Sequence, residues 1–230
     1  MLRLSVLLIT VVEYLACAAN LSRCYQRQHC SMLLRKTHMS IKFYEDNAEQ
    51  FATNTLDVDM SPVYERFLAA LPQAGRILDV GCGAGRDVAA FLKLGYPVEA
   101  FDASAKLVEI ARKVSGIDIQ HSTFLAFESD QLFAGVWACA SLLHVPSAQM
   151  NGTLRHLGQF LQPQGVMYVS FKYGEGNTER DGRHFTNCTE QSLESFLEGS
   201  GLALDTFWVS TDQRPGRTDE QWLNALLTAK

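Results

Sequence analysis

Arg76-Ile-Leu-Asp-Val-Gly-Cys-Gly-Ala-Gly-Arg86 joins a short apolar run to a loop with glycine at every second position. Ile77 to Val80, flanked by turn residues, reads as a buried strand. Glycines after a strand reach dihedrals other residues avoid, and they let a ligand come closer to the backbone than a Cβ would allow. Val88, Ala89, Phe91, Leu92 and Leu94 suit one face of a helix that starts near Arg86 and is closed by Gly95. Such a helix turns its positive end toward the glycine loop.

The same unit recurs downstream. Val98 to Phe101 reads as a strand with Asp102-Ala103-Ser104 as its exit, and Ala105 to Val114 as a helix ending near Gly116. Ile117 to Gln120 and Phe133 to Ala140 read as strands, and Met150 to Leu161 as a helix stopped by Pro163. Gly165 to Phe171 is the next strand and Thr189 to Gly199 the next helix. Ala203 to Ser210 and Gln221 to Thr228 then read as two strands with no helix between them. Upstream, residues 40 to 71 carry helical spacing, with Ser61 as N-cap and Pro62 at the first helical position. The pattern predicts an α/β fold: a Rossmann-like, doubly wound, mostly parallel seven-stranded sheet with helices on both faces. A C-terminal hairpin supplies its antiparallel strand.

The 230 residues suit one domain, and a net charge of -5 argues against a broad basic face for nucleic acid. The cysteines at 17, 24, 30, 82, 139 and 188 form no CxxC pair, and Cys24, His29 and Cys30 lack a second half for a zinc site. No metal-ligand cluster is expected. Free thiols in a reducing, cytoplasmic setting are. Residues 1–38 read as an N-terminal extension. An apolar run from Leu4 to Ala19 follows Arg3 and resembles an export signal, and residues 20–38 are polar and basic like a presequence. Under either of those readings the protein is exported or sent to an organelle. A non-native upstream start is the third reading and the one preferred, with a single domain over 39–230. No stable membrane span is expected, because the apolar run is short and interrupted.

Two ligand classes use a glycine loop after the first strand. A dinucleotide site wants G-x-G-x-x-G, but Arg86 stands where its third glycine belongs. The spacing is Asp79-x-Gly81-x-Gly83-x-Gly85, which resembles the first motif of the class I S-adenosylmethionine-dependent methyltransferases. The resemblance implies that S-adenosyl-L-methionine is the cofactor. It implies cofactor contacts from Asp79, Gly81, Cys82, Gly83 and Gly85, and from Asp102 and Ala103, where the family keeps an acid for the ribose hydroxyls. It extends to Thr123, Phe124 and Ser141. Two departures stand out: Thr123 lacks the charge often found beside the adenine, and Ala134 replaces a common aspartate.

Ala138-Cys-Ala-Ser-Leu-Leu-His-Val-Pro146 resembles the S-L-x-H-V exit loop of the small-molecule enzymes in the ubiquinone-biosynthesis and tellurite-resistance-like groups. Phe43-Tyr44-Glu-Asp46-Asn47-Ala48-x-x-Phe51 is similar to a helix that covers the cofactor in many of them. The resemblance makes His144 and Tyr44 the catalytic candidates. His144 has two readings, acceptor of the substrate's proton near neutral pH or packing for the next helix. His144, Lys172, Tyr173 and Arg183, with His184 nearby, are acceptor-side candidates that suit an anionic small molecule; Arg214, Arg217 and Trp222 stand similarly at the final hairpin. The expected activity is methyl transfer to a small molecule by in-line displacement. Transfer to protein or nucleic acid, and a cofactor-binding regulatory homologue, are the alternatives, and the oligomeric state stays open.

Overall fold

Ile77–Val80 forms strand β1, with all four residues buried. Three of the four are apolar, as a strand covered on both faces requires, and Asp79 is the exception. The computed structural model describes residues 38–72, 75–214, 216–217 and 219–230. The expectations for the leading extension, apart from His38, and for Cys24, His29 and Cys30 lie outside the described residues.

Residues 38–46 are helical (α1) and are followed by α2 (Ala48–Thr55) and α3 (Ser61–Ala70). After β1 come α4 (Arg86–Lys93), β2 (Val98–Asp102), α5 (Ala105–Ser115), β3 (Gln120–His121) and β4 (Phe133–Ala138). A 3-10 turn at Leu142–His144 leads to α6 (Ser147–Gly158), β5 (Leu161–Lys172), β6 (Asn177–Arg180) and β7 (Arg183–Thr186). α7 (Glu190–Leu197), β8 (Leu202–Thr211) and β9 (Gln221–Ala229) complete the order.

The seven-stranded sheet runs β3-β2-β1-β4-β5-β9-β8. β3, β2, β1, β4 and β5 pair in parallel, and β9 runs antiparallel to both β5 and β8. The expected seven-stranded, doubly wound sheet is therefore present. The chain leaves β1 in one direction for β2 and β3 and later returns to β4 on its other side. A crevice opens at the carboxyl ends of β1 and β4, where that order reverses.

Strand alternation divides the core. Leu78, Val80, Val136, Ala138, Met167 and Val169 face α6 and α7 through Leu154, Leu157, Leu193 and Leu197. Ile77, Trp137 and Tyr168 face the other way, onto Val63 and Phe67 of α3, Val88 and Phe91 of α4 and Ala111 of α5. These period-two faces set the strand register, which shifts only at Phe133/Gly135 between β4 and β5 and at Leu204/Thr206 between β8 and β9 among the described residues.

The structure corrects four local expectations. Ser61 is the first helical residue and not the cap, which is Met60 with no side-chain cap; Asp59 Oδ1 accepts from the Ser61 N–H at 2.9 Å. The helix expected over Met150–Leu161 sits earlier, and β5 begins at Leu161, with Gln164 at φ 66 turning the strand before Gly165. β3 is only two residues long. Residues 177–186, where no strand is expected from the sequence, form the β6-β7 hairpin outside the main sheet.

Candidate active site

The glycine loop closes one end of a cavity of about 650 Å³ in that crevice, a size suited to a small ligand. Gly81, Gly83 and Gly85 all have positive φ. A Cβ on Gly81 would lie 2.8 Å from Ser141 Cβ, and one on Gly83 would lie 3.0 Å from the Phe51 ring. The cradle therefore exists only because these side chains are missing. Gly85 does a different job. Its Cβ would meet the Ala111 backbone at 2.9 Å, so this residue lets α4 pack on α5 and does not line the cavity.

Asp102 ends β2 and reaches back to the loop. Its Oδ2 accepts from Gly83 N–H at 2.9 Å and its Oδ1 from Ser104 N–H at 2.8 Å. Burial pushes its carboxyl up, against the N–H groups of Ser104, Gly83 and Ala103. The helix cap itself is Ser104, whose Oγ accepts from Leu107 N–H. Cys82, Ala103, Thr123, Phe124 and Ser141 also line this end.

Asp79 lies behind the wall and does not line the cavity. Burial, then the charge of Asp87, raises its carboxyl well above the ordinary range, and its Oδ2 has no hydrogen-bond partner among the described residues. Asp87 has the opposite fate. Burial would raise it, but Arg86 donates to both its oxygens (2.6 and 3.0 Å), Tyr64 to Oδ1 (2.5 Å) and Trp137 Nε1 to Oδ2 (2.8 Å), so it is held low. Two neighbouring buried carboxyls cannot both ionise cheaply, and the donors choose Asp87. The sequence alone gave no sign of this network. Arg86 drew notice only as a departure from the dinucleotide spacing.

α1 lies across the cavity. Glu45 Oε2 accepts from Ser104 Oγ at 2.6 Å and Lys106 N–H at 3.2 Å, anchoring the helix at the positive end of α5. At the other side Ser40 Oγ accepts from His184 N–H at 3.1 Å. Between them Tyr44 meets His144, with the phenol oxygen 2.7 Å from Nε2. Nδ1 of His144 is 2.7 Å from the carbonyl of His184, which can only accept, so Nδ1 carries the proton and the Nε2 lone pair takes the Tyr44 hydroxyl. Burial, with the nearby charges of Arg183, His184 and Lys172, lowers His144 to about 4 and keeps it neutral at pH 7.

The remaining wall is cationic. Lys172, Arg180, Arg183, Arg214 and Arg217 line it with Trp222. Arg180 escaped the sequence reading because it sits on the unforeseen hairpin. Tyr173 lies outside the cavity, exposed, with its hydroxyl on Glu190 at 3.2 Å. His184 is buried behind the wall, near Thr186 Oγ1 at 3.1 Å. Ala134, the second departure noted above, is buried in β4, packed so closely on Gly75 that a Cβ there would lie 1.9 Å from its own.

A doubly wound sheet with a glycine cradle and a carboxylate at the end of the second strand defines a nucleoside-cofactor-binding α/β enzyme class. A methyltransferase domain family model matches residues 53–206, and the chain belongs to that family, the class I S-adenosylmethionine-dependent methyltransferases. Among its relatives is the ubiquinone biosynthesis O-methyltransferase of Xanthomonas axonopodis pv. citri (strain 306). It is 31% identical over 120 aligned residues, and the match covers 48% of this chain and 49% of that protein. The protein of the same name from Xanthomonas campestris pv. campestris (strain B100) is 35% identical over 121 residues. The chain thus spans about half the length of these curated relatives.

Two solved structures share the fold. The 1,6-didemethyltoxoflavin-N1-methyltransferase of Burkholderia thailandensis, with bound 1,6-didemethyltoxoflavin and S-adenosylhomocysteine, superposes with a TM-score of 0.69 at 19% identity. It covers 88% of this chain and 90% of its own. The glycopeptide N-methyltransferase MtfA complexed with S-adenosyl-L-methionine gives 0.59 at 18% identity, covering 74% and 93%.

Among the described residues no helix is long and apolar enough to cross a membrane.

Proposed function

We propose that the protein is an S-adenosylmethionine-dependent methyltransferase whose acceptor is a small molecule, and that His144 receives the acceptor's proton. One observation carries the reading: a single cavity is lined by the Gly81–Gly83 cradle and Asp102 and also by the Tyr44–His144 pair. The residues present fit the cofactor. The cradle is a space that a Cβ would fill, and Ser141 Oγ lies buried there with no hydrogen-bond partner among the described residues. Asp102 would hold the ribose hydroxyls, since a carboxylate accepts from two vicinal groups. When bound, S-adenosylmethionine supplies a methyl group already activated by its sulfonium.

The chain's own contribution is then placement and proton handling. α1, anchored by Glu45 and Ser40, covers the cavity and keeps water out. The fixed tautomer of His144 presents a lone pair to any hydroxyl or amine that displaces the Tyr44 phenol, and the proton leaves along that hydrogen bond. A small acceptor is supported by the 1,6-didemethyltoxoflavin bound in the Burkholderia structure and by the ubiquinone-biosynthesis role in the names of the Xanthomonas relatives. A cytoplasmic location belongs to the same reading, supported by Cys82, Cys139 and Cys188, all free thiols. So does a single domain from residue 39 onward.

The test is transfer of label from S-[methyl-3H]adenosylmethionine in a cell extract divided by size. Label in the small-molecule fraction is the expected result; label confined to protein or nucleic acid contradicts it.

A further inference from the structure

We propose that the wall made by Lys172, Arg180, Arg183, Arg214 and Arg217 seats an ionised oxyanion group of the acceptor, a carboxylate or a phosphate. The inference rests on the small-molecule reading and names the class of molecule. The five cations come from three separate segments, the end of β5, the β6-β7 hairpin and the β8-β9 connection, and all line the same cavity. Nothing local in the chain requires them to converge.

The carboxylates that touch them are fewer. Glu220 alone serves Lys172 (3.0 Å), Arg180 (3.4 Å), Arg217 (3.8 Å) and Arg214 (4.0 Å). Asp212 takes Arg214, and Asp181 takes Arg183 at 3.1 Å and Arg180 at 3.7 Å. Among the ion pairs of the described residues, five cations face three carboxylates, an excess of two positive charges. Asp181 is also 60% exposed, so water screens its share of the pairing.

Arg183 shows the shortage most clearly. Its side chain is only 18% exposed, and its Nε is buried with no hydrogen-bond partner among the described residues. The guanidinium rests over Phe43 at 4.0 Å and near Phe185 at 5.3 Å, which fixes its plane without neutralising it. A cation withdrawn from water without a full partner is costly, and an oxyanion is the group that removes the cost. A planar guanidinium fork meets carboxylate or phosphate by two parallel hydrogen bonds. Arg183 also lies beside Tyr44, at 5.8 Å, so the seat adjoins the group that receives the proton.

The experiment separates a small-molecule extract on a strong anion exchanger at pH 8 and assays each fraction for transfer from S-[methyl-3H]adenosylmethionine. Acceptor activity should be retained and eluted by salt, and phosphatase treatment of that fraction abolishes it only if the oxyanion is a phosphate. Arg183→Gln and Lys172→Gln should each raise the half-saturating amount of that fraction roughly tenfold or more. Affinity for S-adenosylhomocysteine should stay within about twofold. Arg183→Lys should recover part of the loss, and the half-exposed Arg217→Gln should act in the same direction without disturbing the Phe43 contact. Acceptor activity in the flow-through, or unchanged saturation in all four variants, would overturn the proposal. Label found only in macromolecules would instead remove the small-molecule reading on which it stands.

Discussion

Tyr44 and His144, one hundred residues apart in sequence, meet at 2.7 Å across the cavity, and the carbonyl of His184 fixes which imidazole nitrogen faces the phenol. The lid helix and the exit loop of β4 are thereby joined through the groups proposed to handle the proton.

If His144 receives that proton, His144→Gln should lower kcat by about 10²- to 10⁴-fold, the usual share of a positioned acid or base. Binding of S-adenosylhomocysteine should stay within about twofold, because the glycine cradle is untouched. Tyr44→Phe should cost less than His144→Gln. Steady-state kinetics with the identified acceptor checks both, and a His144→Gln enzyme with wild-type kcat would remove His144 from the mechanism.

His144 titrates near 4 in the folded chain because burial, and then the nearby cations, disfavour its charged form. The free enzyme is therefore already in its proton-accepting state above about pH 5, and the acid limb of kcat/KM should fall near 4. A limb at the ordinary histidine value of 6.5 would contradict this. Stability carries the same signature. Between pH 6.5 and 4 the unfolded chain binds this proton and the folded chain does not, so His144 costs stability as pH falls through that window. Loss of folding free energy from pH 7 to pH 5, measured by urea denaturation, should be smaller in His144→Asn than in the wild type.

Asp87 carries four hydrogen bonds from Arg86, Tyr64 and Trp137. Asp87→Asn leaves the Arg86 guanidinium buried without its counter-charge, a change that costs about 3–5 kcal/mol. In a domain of this size the loss should lower the melting temperature by roughly 6 °C or more. Tyr64→Phe removes one hydrogen bond to a charged group and should cost about 1.5–3 kcal/mol. Differential scanning calorimetry measures both, and a neutral Asp87→Asn would show that the network is not structural.

Gly83→Val should impair cofactor binding more than stability. The added side chain meets the Phe51 ring at 3.0 Å and occupies the cradle, while φ 56 adds strain. Titration calorimetry with S-adenosylhomocysteine should show at least a tenfold loss; unimpaired binding would mean the cradle is not the cofactor's place.

Most of the fold was legible because its signals are local. Ile77–Val80 is apolar apart from Asp79 and is followed by glycine, and the later strands and helices repeat that punctuation. The β6-β7 hairpin was missed for the matching reason: all four residues of β6 are exposed, so Asn177–Arg180 carries no alternation to read. Arg180 went unseen with it. Tyr173 is adjacent to Lys172, but past the end of β5 it bridges to Cys188 and leaves the cavity wall. The pairing of Tyr44 with His144, and the sharing of Glu220 by four cations, arise from tertiary convergence that no spacing along the chain encodes.

The central claim is that the end of β2 and the glycine loop hold S-adenosylmethionine. Titration calorimetry of the wild type and Asp102→Ala with S-adenosylhomocysteine and NAD tests it directly. The account predicts binding of S-adenosylhomocysteine, no binding of NAD, and roughly 10- to 100-fold weaker affinity in Asp102→Ala, the worth of a charged hydrogen-bonding partner. Binding of NAD in place of S-adenosylhomocysteine, or an affinity unchanged by Asp102→Ala, would contradict it.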